Sequence, residues 1–398
     1  MRHVVTLNAG SSSIKFALFE LDGHAPRALA TGLAEMTGEG RRLRTHDAAG
    51  AVTHEESWQD DAGDFHTAAL RRVLAWRRAA FPAANVVAAG HRVVHGGVRY
   101  DRPVLVDDAV LAELRALVPL APLHQPHNLA GIMAARDAWH HIPQVACFDT
   151  AFHRAHPFVN DVFALPRRFY DAGVRRYGFH GLSYEYITLR LREIAPLHAA
   201  GRVVVAHLGN GASMCAIQDG RSVASSMGLT ALDGLPMGTR CGQLDPGVVL
   251  YLLQEQRMTA DAIADLLYTQ SGLKGLSGLS HDMRELEASD TLEARQAIDY
   301  FVFRIRRELG GLAAVLQGLD AMVFCGGIGE HAWRVRAAVL EGMAWLGIDL
   351  DAEANRAAAG DAPRVISSDR SRVRVLVIPT DEDAMIARHT VALLDAAA

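Results

Sequence analysis

The chain has 398 residues, of which 50% are hydrophobic, and this length predicts roughly two or three domains with sizeable cores. Its formal net charge of −5 gives no electrostatic reason to expect nucleic acid or an anionic membrane as a partner. Because no apolar run reaches the ~18 residues of a membrane helix, no signal-peptide pattern is present and the four cysteines lie far apart, we expect a reduced, cytoplasmic protein.

Residues 3–19 predict a β-hairpin closed by a polar turn. The runs 3–7 and 14–19 favour strands, and segment 8–13 (Asn-Ala-Gly-Ser-Ser-Ser) consists of turn formers. Small side chains leave the backbone N–H groups of the turn open, and Lys15 adds a cation, so the turn can hold phosphate. An ordinary hairpin is the alternative. A Walker loop is excluded, because Gly-Lys-Ser/Thr leading into a helix is missing.

Strands and helices alternate through the rest of the first half. Residues 23–63 favour short strands or loops. A strand over 86–90 leads to Arg92, and a strand over 145–148 ends at Asp149, where ligands bind in α/β sheets. The predicted helices are 65–80, one capped by Asp107 or Asp108 and reaching 118, and one capped by Asn128 and reaching 139.

The second half opens with the same arrangement. A strand over 202–208, the turn Gly209-Asn210-Gly211 and a return strand over 212–217 form a second predicted hairpin. A hairpin at the head of each half predicts two related domains facing a cleft, with nucleotide phosphates held between the hairpins. Chance resemblance is the alternative, since hairpins are common.

Further elements of the second half complete an α/β pattern. They are a helix capped by Ser183, a helix begun by Asp245 and Pro246, a flexible stretch over 272–284, a long helix over 291–317, a strand over 321–325, a helix from about 332, a strand over 373–378 and a final helix after residue 383.

Donor and acid side chains are scattered along the chain. They are Lys15, Arg92, Asp149, His180, Arg240 and Glu382. Phosphoryl transfer requires cations that neutralise phosphate oxygens and carboxylates that hold Mg²⁺. A histidine-ligated catalytic metal is disfavoured, because no HExxH occurs and the pair His91 and His95 lies on a predicted strand.

Residues 327–332 offer a competing interpretation. Gly-Ile-Gly-Glu-His-Ala matches the dinucleotide pattern GxGxxA between a strand and a helix, and Asp349 lies about twenty residues beyond it. Such a fingerprint normally opens its domain, whereas this one comes late and leaves both hairpins without a role. The same loop can hold the nucleoside and α-phosphate of ATP at a helix N-terminus. A nicotinamide dehydrogenase is therefore the second hypothesis.

Nine motifs, in order along essentially the whole chain, resemble those of the acetate kinase family. They are Asn8-Ala-Gly-Ser-Ser-Ser-Ile-Lys15, His91-Arg-Val-Val-His-Gly-Gly97, Phe148-Asp-Thr-Ala-Phe-His153, Tyr177-Gly-Phe-His-Gly181, His207-Leu-Gly-Asn-Gly-Ala-Ser213, Gly238-Thr-Arg240, Ser280-His-Asp-Met-Arg284, Gly327-Ile-Gly-Glu330 and Pro379-Thr-Asp-Glu-Asp383.

The resemblance implies a fold and an assembly. It implies two ribonuclease H-like domains of the actin and hexokinase type, each of mixed sheet plus helices, around a nucleotide cleft. The N-terminal domain would comprise 1–150 joined by the C-terminal helix 384–398, and the nucleotide-binding domain 151–383. Family members are homodimers, so a homodimer is expected.

The resemblance also implies residue roles. Asn8 and Glu382 resemble the Mg²⁺ site, where Mn²⁺ is also possible, and Lys15 an ATP phosphate contact. Arg92 resembles the substrate-binding arginine, Asp149 the catalytic acid/base, His180 and Arg240 the transition-state stabilisers, and Val94, Leu123 and Phe179 the acyl-methyl pocket. The implied nucleotide loops are His207, Leu208, Gly209, Asn210 and Gly211; Asp282, Met283 and Arg284; and Gly327, Ile328, Gly329, Glu330 and His331.

The implied reaction is reversible phosphorylation of acetate by ATP, with propionate as the alternative acid. A carboxylic acid with a pKa of ~4.3 is ionised at neutral pH, so the nucleophile needs no base. We therefore expect Asp149 to organise Arg92 or a metal-bound water, and the phosphoryl group to transfer directly in line. A non-catalytic nucleotide sensor is a third hypothesis, against which the intact Arg92, Asp149, His180 and Arg240 speak.

Five positions depart from the family pattern. Ala231 stands where a proline is expected beside the acyl pocket, which would enlarge that pocket toward propionate. His331 replaces an asparagine of the adenine loop. The other departures are Gln243 for an acid, Tyr184 for a histidine and Gln125 for an asparagine.

Overall fold

The computed structural model describes residues 1–21, 25–38, 40–59, 65–360 and 362–397. Its strands are β1 (Arg2–Ala9), β2 (Ser13–Leu21), β3 (Arg27–Thr37), β4 (Gly40–Asp47), β5 (Val52–Trp58), β6 (Asn85–Val93), β7 (Val104–Leu105), β8 (Gln144–Phe148), β9 (Arg202–Leu208), β10 (Ala212–Gln218), β11 (Arg221–Ser225), β12 (Ala321–Cys325), β13 (Arg364–Val365) and β14 (Arg374–Val377).

Most of the helices lie in the second half of the chain. They are α1 (Phe65–Ala80), α2 (Asp108–Ala116), α3 (Gln125–Ala138), α4 (Phe158–Asp161), α5 (Arg167–Asp171), α6 (Gly181–Ile194), α7 (Pro196–Ala199), α8 (Pro246–Gln254), α9 (Ala260–Thr269), α10 (Gly272–Ser277), α11 (Met283–Glu287), α12 (Leu292–Val315), α13 (Gly326–His331), α14 (Trp333–Leu340), α15 (Ala352–Ala357) and α16 (Glu382–Ala397). Among the described residues, no helix combines the length and apolar character needed to cross a membrane.

The chain divides into two compact units, and the first comprises Met1–Phe152 with Asp381–Ala398. Its sheet has the strand order β5-β4-β3-β2-β1-β6-β8-β7. Strands β1 to β5 pair with one another in antiparallel fashion, whereas β6 runs parallel to both β1 and β8. Strand β8 is buried along its whole length, as expected of a strand covered on both faces. Helix α16 packs against β1 and β6.

The second unit, His153–Thr380, is built around a sheet of order β11-β10-β9-β12-β14-β13. Its hairpin β9–β10 is antiparallel, and β9 also pairs in parallel with the buried strand β12. The first unit has the same arrangement, because β1 pairs antiparallel with β2 and parallel with β6. The predicted α/β class with two mixed sheets is therefore confirmed. The domain boundaries that the sequence suggested stay a prediction.

Both predicted hairpins are confirmed, with β1 paired to β2 and β9 paired to β10. In the first hairpin Asn8 stands opposite Lys15. Opposed residues of an antiparallel pair point to the same face of a sheet, so these two side chains share a face. The strands expected within 23–63 are also present in the described residues, as β3 to β5. Residues 22–24, 39 and 60–64 lie outside the described residues.

Two predicted helix caps are wrong. Helix α3 begins at Gln125, so Asn128 lies inside it, and helix α6 begins at Gly181, so Ser183 lies inside it. Both side chains instead bond to distant groups, Asn128 to the backbone of Val94 and Ala9, and Ser183 to the His207 imidazole. Asn and Ser favour caps locally, but hydrogen bonds that buried groups require override this preference.

The stretch 272–284, predicted to be flexible, contains helix α10 and the start of helix α11. Asp282 caps α11 by accepting a hydrogen bond from the Arg284 N–H at 2.8 Å. The Ser277 hydroxyl bonds to backbone groups of the intervening turn. Glycines and serines therefore form an ordered helix–turn–helix segment here.

His91 on β6 is buried and neutral. Its Nε2 donates to Gln144 Oε1 over 2.8 Å, and burial lowers the pKa of His91 to about 4 although this hydrogen bond opposes the shift. The pKa of an unfolded histidine is ~6.5, so between these values the unfolded chain binds more protons. The stabilisation that neutral His91 provides is therefore present above pH 6.5 and lost as the pH falls toward 4.

We expect His91→Gln, which keeps a donor for Gln144, to flatten this acid dependence. Between pH 6.5 and 4.5, the free energy of unfolding should fall with decreasing pH in both proteins, but more steeply in the wild type. The two slopes should differ by up to ~1.4 kcal/mol per pH unit. Urea unfolding at several pH values measures this difference. Replacing the exposed His141 by Gln is the control and should leave the wild-type slope. Parallel curves for wild type and His91→Gln would contradict the expectation.

Candidate active site

An ion pair joins the ends of two parallel strands in the first unit. Arg92 lies near the end of β6 and Asp149 directly follows β8. The Arg92 guanidinium binds Asp149 in bidentate fashion, with Nη2 at 2.6 Å from Oδ2 and Nε at 3.1 Å from both oxygens. The Asp149 side chain is 1% exposed and that of Arg92 is 19% exposed. The pair therefore holds the guanidinium in one orientation at the carboxyl edge of the sheet.

Three further predicted residues lie around this pair. The Asn8 Oδ1 atom accepts from Arg92 Nη1 at 3.5 Å, and Glu382 Oε2 lies 3.7 Å from Arg92 Nε. Lys15 stands opposite Asn8 on the neighbouring strand. Burial by itself would lower the pKa of Arg92, but Asp149 and Glu382 together raise it above its ordinary value. Arg92 therefore stays charged at any pH at which the fold exists.

Two side chains of helix α3 hold the backbone segments next to this cluster. Asn128 Nδ2 donates to the Ala9 carbonyl at 2.8 Å, and its Oδ1 accepts from the Val94 N–H at 3.0 Å. Gln125 bonds both backbone groups of His95. One helix thus connects the turn of the first hairpin with the backbone that follows Arg92. Sequence reasoning missed these roles, because an amide that bonds a distant backbone has no local pattern.

In the second unit, two cationic or proton-donating side chains approach the glycine turn of the second hairpin. His180 Nε2 and Arg240 Nη2 lie 3.1 Å and 3.0 Å from the point where a Cβ atom on Gly211 would stand. The other terminal nitrogen of the Arg240 guanidinium, Nη1, donates a hydrogen bond to the Ala231 carbonyl at 2.6 Å, which fixes the side chain. Because Gly211 has no side chain, both groups can face the same space.

His180 occupies an unusual backbone conformation at the start of α6. Its φ of 58° and ψ of 26° lie in the left-handed region, which is uncommon for a residue other than glycine. Its ring stacks on that of His207, with centroids 4.3 Å apart, and its Nδ1 lies 2.8 Å from Ser213 Oγ. Such backbone strain persists only where the surroundings determine it, and it is common at functional sites.

A cavity of about 420 Å³ opens beside the second hairpin. All three predicted nucleotide loops contribute to its wall, which is lined by Gly209, Asn210, His281, Asp282, Met283, Arg284, Glu287, Gly327, Ile328, His331 and Ala332. This volume is typical of a small-molecule site. The Arg284 side chain, then its backbone N–H, lower the pKa of Asp282 to about 2, so this carboxylate is ionised at neutral pH.

Several predicted nucleotide residues lie outside the cavity wall. They are His207, Leu208, Gly211, Gly329 and Glu330. The Glu330 carboxylate instead accepts from the backbone N–H groups of Gly326 and Thr380, at 2.7 Å and 3.1 Å. Glu330 thus closes the loop that carries the lining residues.

Three lining residues were not predicted, namely His281, Glu287 and Ala332. Each is adjacent to a predicted loop or one helical turn from it, which is the signal that could have found them. Burial raises the pKa of Glu287, and Arg334 only partly opposes this shift.

The residues predicted for the acyl pocket are divided between the units. Val94 and Leu123 belong to the first unit and Phe179 to the second. Val94 and Phe179 are buried, whereas Leu123 is 42% exposed. Phe179 directly precedes His180 in the chain. Its carbonyl accepts a hydrogen bond from His153 Nε2 at 2.9 Å.

These features define a class of protein. A cavity of about 420 Å³ walled by glycine loops, with a histidine and an arginine facing the adjoining turn, suits an enzyme that transfers phosphoryl groups. The sequence profile of the Acetokinase family matches residues 3–388. The chain belongs to this family.

Individual relatives agree with the profile. An acetate kinase from Methylocella silvestris is 73% identical over 99% of this chain and 98% of its own length. An acetate kinase from Nitrobacter hamburgensis is 51% identical over 99% and 96%. Membership of the Acetokinase family confirms the hypothesis of a kinase and excludes that of a nicotinamide dehydrogenase.

Solved structures of the family have the same fold. The crystal structure of Porphyromonas gingivalis acetate kinase is 36% identical, with a TM-score of 0.87 over 99% of this chain and 100% of that one. A propionate kinase from Francisella tularensis is 35% identical, with a TM-score of 0.89 over 98% and 99%. The expected fold of the actin and hexokinase type is therefore confirmed.

We expect Gly211→Ala to lower kcat at least ~tenfold, because the new methyl group would stand 3.0–3.1 Å from Arg240 and His180 and displace them. The backbone of Gly211 needs no positive φ, so the thermal midpoint should change little. A steady-state kinase assay and a thermal melt measure the two effects.

The matched control is Gly310→Ala inside α12, where a Cβ would meet nothing within 4 Å. This variant should keep full activity and gain ~0.5–1 kcal/mol of stability, since alanine is the better helix former. Full activity of Gly211→Ala would show that the two side chains are not needed in their present positions.

Proposed function

We propose that the chain catalyses the reversible, ATP-dependent phosphorylation of acetate to acetyl phosphate by direct in-line transfer. The observation that carries this proposal is the buried Arg92–Asp149 pair in a chain of the Acetokinase family. A guanidinium held at a strand end suits a small carboxylate, which it binds by charge and by hydrogen bonds. The 73% identical relative is an acetate kinase, which favours acetate as the acid.

Asp149 determines which edge of Arg92 is left for the substrate. It occupies the Nε and Nη2 atoms, whereas Nη1 is directed toward Asn8. The substrate is already a carboxylate at neutral pH and attacks without losing a proton. Asp149 therefore acts as the residue that positions Arg92, and the incoming acid binds through Nη1. This arrangement reduces the repulsion between an anionic acid and anionic ATP.

Asn8 and Glu382 would hold Mg²⁺, or Mn²⁺ in its place. Amide and carboxylate oxygens are the ligands these ions prefer, and both residues lie beside Arg92. Among the described residues, no three His, Cys, Asp or Glu side chains are grouped as a metal cage. Mg²⁺ needs none, because it usually binds one or two protein oxygens together with waters and nucleotide phosphates. When bound, it would neutralise phosphate charge, and Lys15 would contact the phosphates.

The second unit would bind the nucleotide and provide the groups that stabilise the transition state. ATP or ADP would occupy the cavity beside Gly209 and Asn210. Arg240 and His180 would donate hydrogen bonds to the oxygens of the transferred phosphoryl group, where negative charge is concentrated. Both are held by hydrogen bonds to other groups of the chain, so little reorganisation is needed on transfer.

Propionate is the second candidate substrate. The similar solved structure from Francisella tularensis is a propionate kinase. Ala231 is small, stands where the family pattern has a proline and is 9% exposed. A smaller side chain leaves more room for a longer acid, so we include propionate and butyrate in the test.

The proposal is tested by trapping acyl phosphate with hydroxylamine, in the presence of ATP, Mg²⁺ and acetate, propionate or butyrate. We expect acyl hydroxamate that depends on both ATP and the acid, with the highest kcat/KM for acetate. No hydroxamate with any acid would overturn the proposed function. A phosphoprotein that completes turnover on adding acetate would contradict direct transfer.

We propose further that the protein is a cytoplasmic homodimer. Helix α8 (Pro-Gly-Val-Val-Leu-Tyr-Leu-Leu-Gln) has no charged residue, and none of its side chains is buried. Leu250 and Tyr251 are 51% and 52% exposed. A contiguous apolar helix on a surface is typical of a protein–protein interface. The resemblance to a homodimeric family selects a second copy of this chain as the partner.

We expect the double variant Leu250→Glu, Tyr251→Glu to be monomeric, because two carboxylates on each copy would be buried against each other. Light scattering after gel filtration should give the mass of one 43.0 kDa chain for the variant and of two for the wild type. Leu197→Glu, at an 89% exposed leucine of α7, is the control and should remain dimeric. A monomeric wild type or a dimeric double variant would refute this interface.

A further inference from the structure

We propose that Tyr184 is a positioning residue that acts through Ser213 to keep the proton of His180 on Nε2. The inference rests on the proposed function, in which His180 donates a hydrogen bond to the transferred phosphoryl group. It gives a role to Tyr184, which the motifs mark only as a departure from the family pattern, and it extends the role of Ser213 from holding His180 to fixing its proton.

Three side chains form a continuous hydrogen-bonded line. The Tyr184 hydroxyl lies 2.5 Å from Ser213 Oγ, and Ser213 Oγ lies 2.8 Å from His180 Nδ1. Tyr184 and Ser213 are both 0% exposed and His180 is 8% exposed. Bulk water is therefore excluded from the line, and each donor must find its acceptor within it or in the surrounding protein.

The line follows from helix geometry. His180 precedes α6 and its carbonyl accepts from the Tyr184 N–H at 3.0 Å. Residues four apart lie on the same face of a helix. The hydroxyl of Tyr184 and the imidazole of His180 can therefore both reach the side chain of Ser213 on strand β10.

In the proposed line Tyr184 donates to Ser213, and Ser213 donates to His180. Burial raises the pKa of Tyr184 well above its ordinary value, so the phenol keeps its proton at neutral pH and can donate it to Ser213 Oγ. In this direction the serine hydroxyl gives its own single proton to His180 Nδ1, which accepts through its lone pair. In a neutral imidazole with an accepting Nδ1, the proton is on Nε2.

This tautomer matters because of where Nε2 points. Nε2 lies 3.1 Å from the Cβ position of Gly211, the same place that Arg240 Nη2 approaches to 3.0 Å. With its proton on Nε2, His180 offers a donor to an anionic oxygen in that space. The opposite tautomer would present a lone pair there and repel the oxygen.

The packing of the His180 backbone is independent of the tyrosine hydroxyl. His153 Nε2 donates to the Phe179 carbonyl at 2.9 Å, and the His180 ring stacks on His207. The Tyr184 ring packs edge-on against His153, with centroids 5.6 Å apart. Removal of the hydroxyl alone therefore leaves the ring contacts in place, and Tyr184→Phe isolates the hydrogen bond.

The direct test observes the tautomer. In protein labelled with ¹⁵N-histidine, and with the His180 signals assigned by their loss in His180→Gln, we expect a protonated Nε2 and an accepting Nδ1 in the wild type. In Tyr184→Phe we expect a mixture of both tautomers. A wild type protonated on Nδ1 alone would overturn the proposal, whatever the variants do.

The kinetic test is a double-variant cycle with the hydroxamate assay. Tyr184→Phe should lower kcat about tenfold, with the KM values for ATP and acetate and the affinity for ADP unchanged within about twofold. Ser213→Ala should lower kcat at least as much. The double variant should be no slower than Ser213→Ala, because both changes break the same line. Tyr184→His, which retains a donor, should recover most of the activity.

Tyr177→Phe is the matched control. Tyr177 is also buried, at 2% exposed, but its hydroxyl donates to the Gly173 carbonyl at 2.7 Å. This variant should melt at a lower temperature and keep its kcat. Multiplicative effects in the double variant, or a raised KM with unchanged kcat in Tyr184→Phe, would overturn the role of Tyr184. If the wild type is active and Tyr184→Phe is fully active, the role of the hydrogen-bonded line is rejected and the proposed function stands. If the wild type forms no acyl phosphate, the proposed function itself is rejected.

Discussion

The bidentate pairing of Arg92 with Asp149 is the interaction on which the site of the first unit depends. A carboxylate that is 1% exposed is strongly destabilising unless a cation and hydrogen bonds compensate for its lost hydration. Arg92 provides both, and in return its flexible side chain is fixed at the end of β6. Asn8 and Glu382 are then arranged around a cation of known direction. An enzyme that brings two anions together needs such a cation in place before either arrives.

The second unit reaches a comparable result with different chemistry. Here a hairpin turn without a side chain at Gly211 leaves space that His180 and Arg240 approach together. The Ala231 carbonyl and the Ser213 hydroxyl hold these two groups. Each unit thus starts from a hairpin that also pairs in parallel with a later strand. A repeated sheet topology therefore carries two different sets of polar groups, each oriented by hydrogen bonds within its own unit.

Local patterns predicted the elements well where the pattern and the packing agree. Both hairpins, helix α1, helix α8 with its Asp245 cap and the buried strands at 145–148 and 321–325 lie where the sequence places them. The errors concern Asn128, Ser183 and the segment 272–284. In each of these, polar or small residues that favour caps and loops locally are used for hydrogen bonds inside the folded unit. The preference of a residue for a helix cap contributes about 1 kcal/mol to stability. Leaving a buried polar group without a hydrogen bond costs about 1–3 kcal/mol, so the hydrogen bond prevails.

Turn residues, strand patterns and contiguous motifs are local properties, so the amino-acid sequence was enough to predict the family, the α/β class, both hairpins and most of the residues that line the cavity beside the second hairpin. Which side chains come into contact depends on the folding of the whole chain. Arg92 finds Asp149 across 57 residues, and His180 finds Ser213 across 33. Partners so distant along the chain are selected by strand pairing and by the need to satisfy buried polar atoms, and neither of these has a signature in a short stretch of sequence.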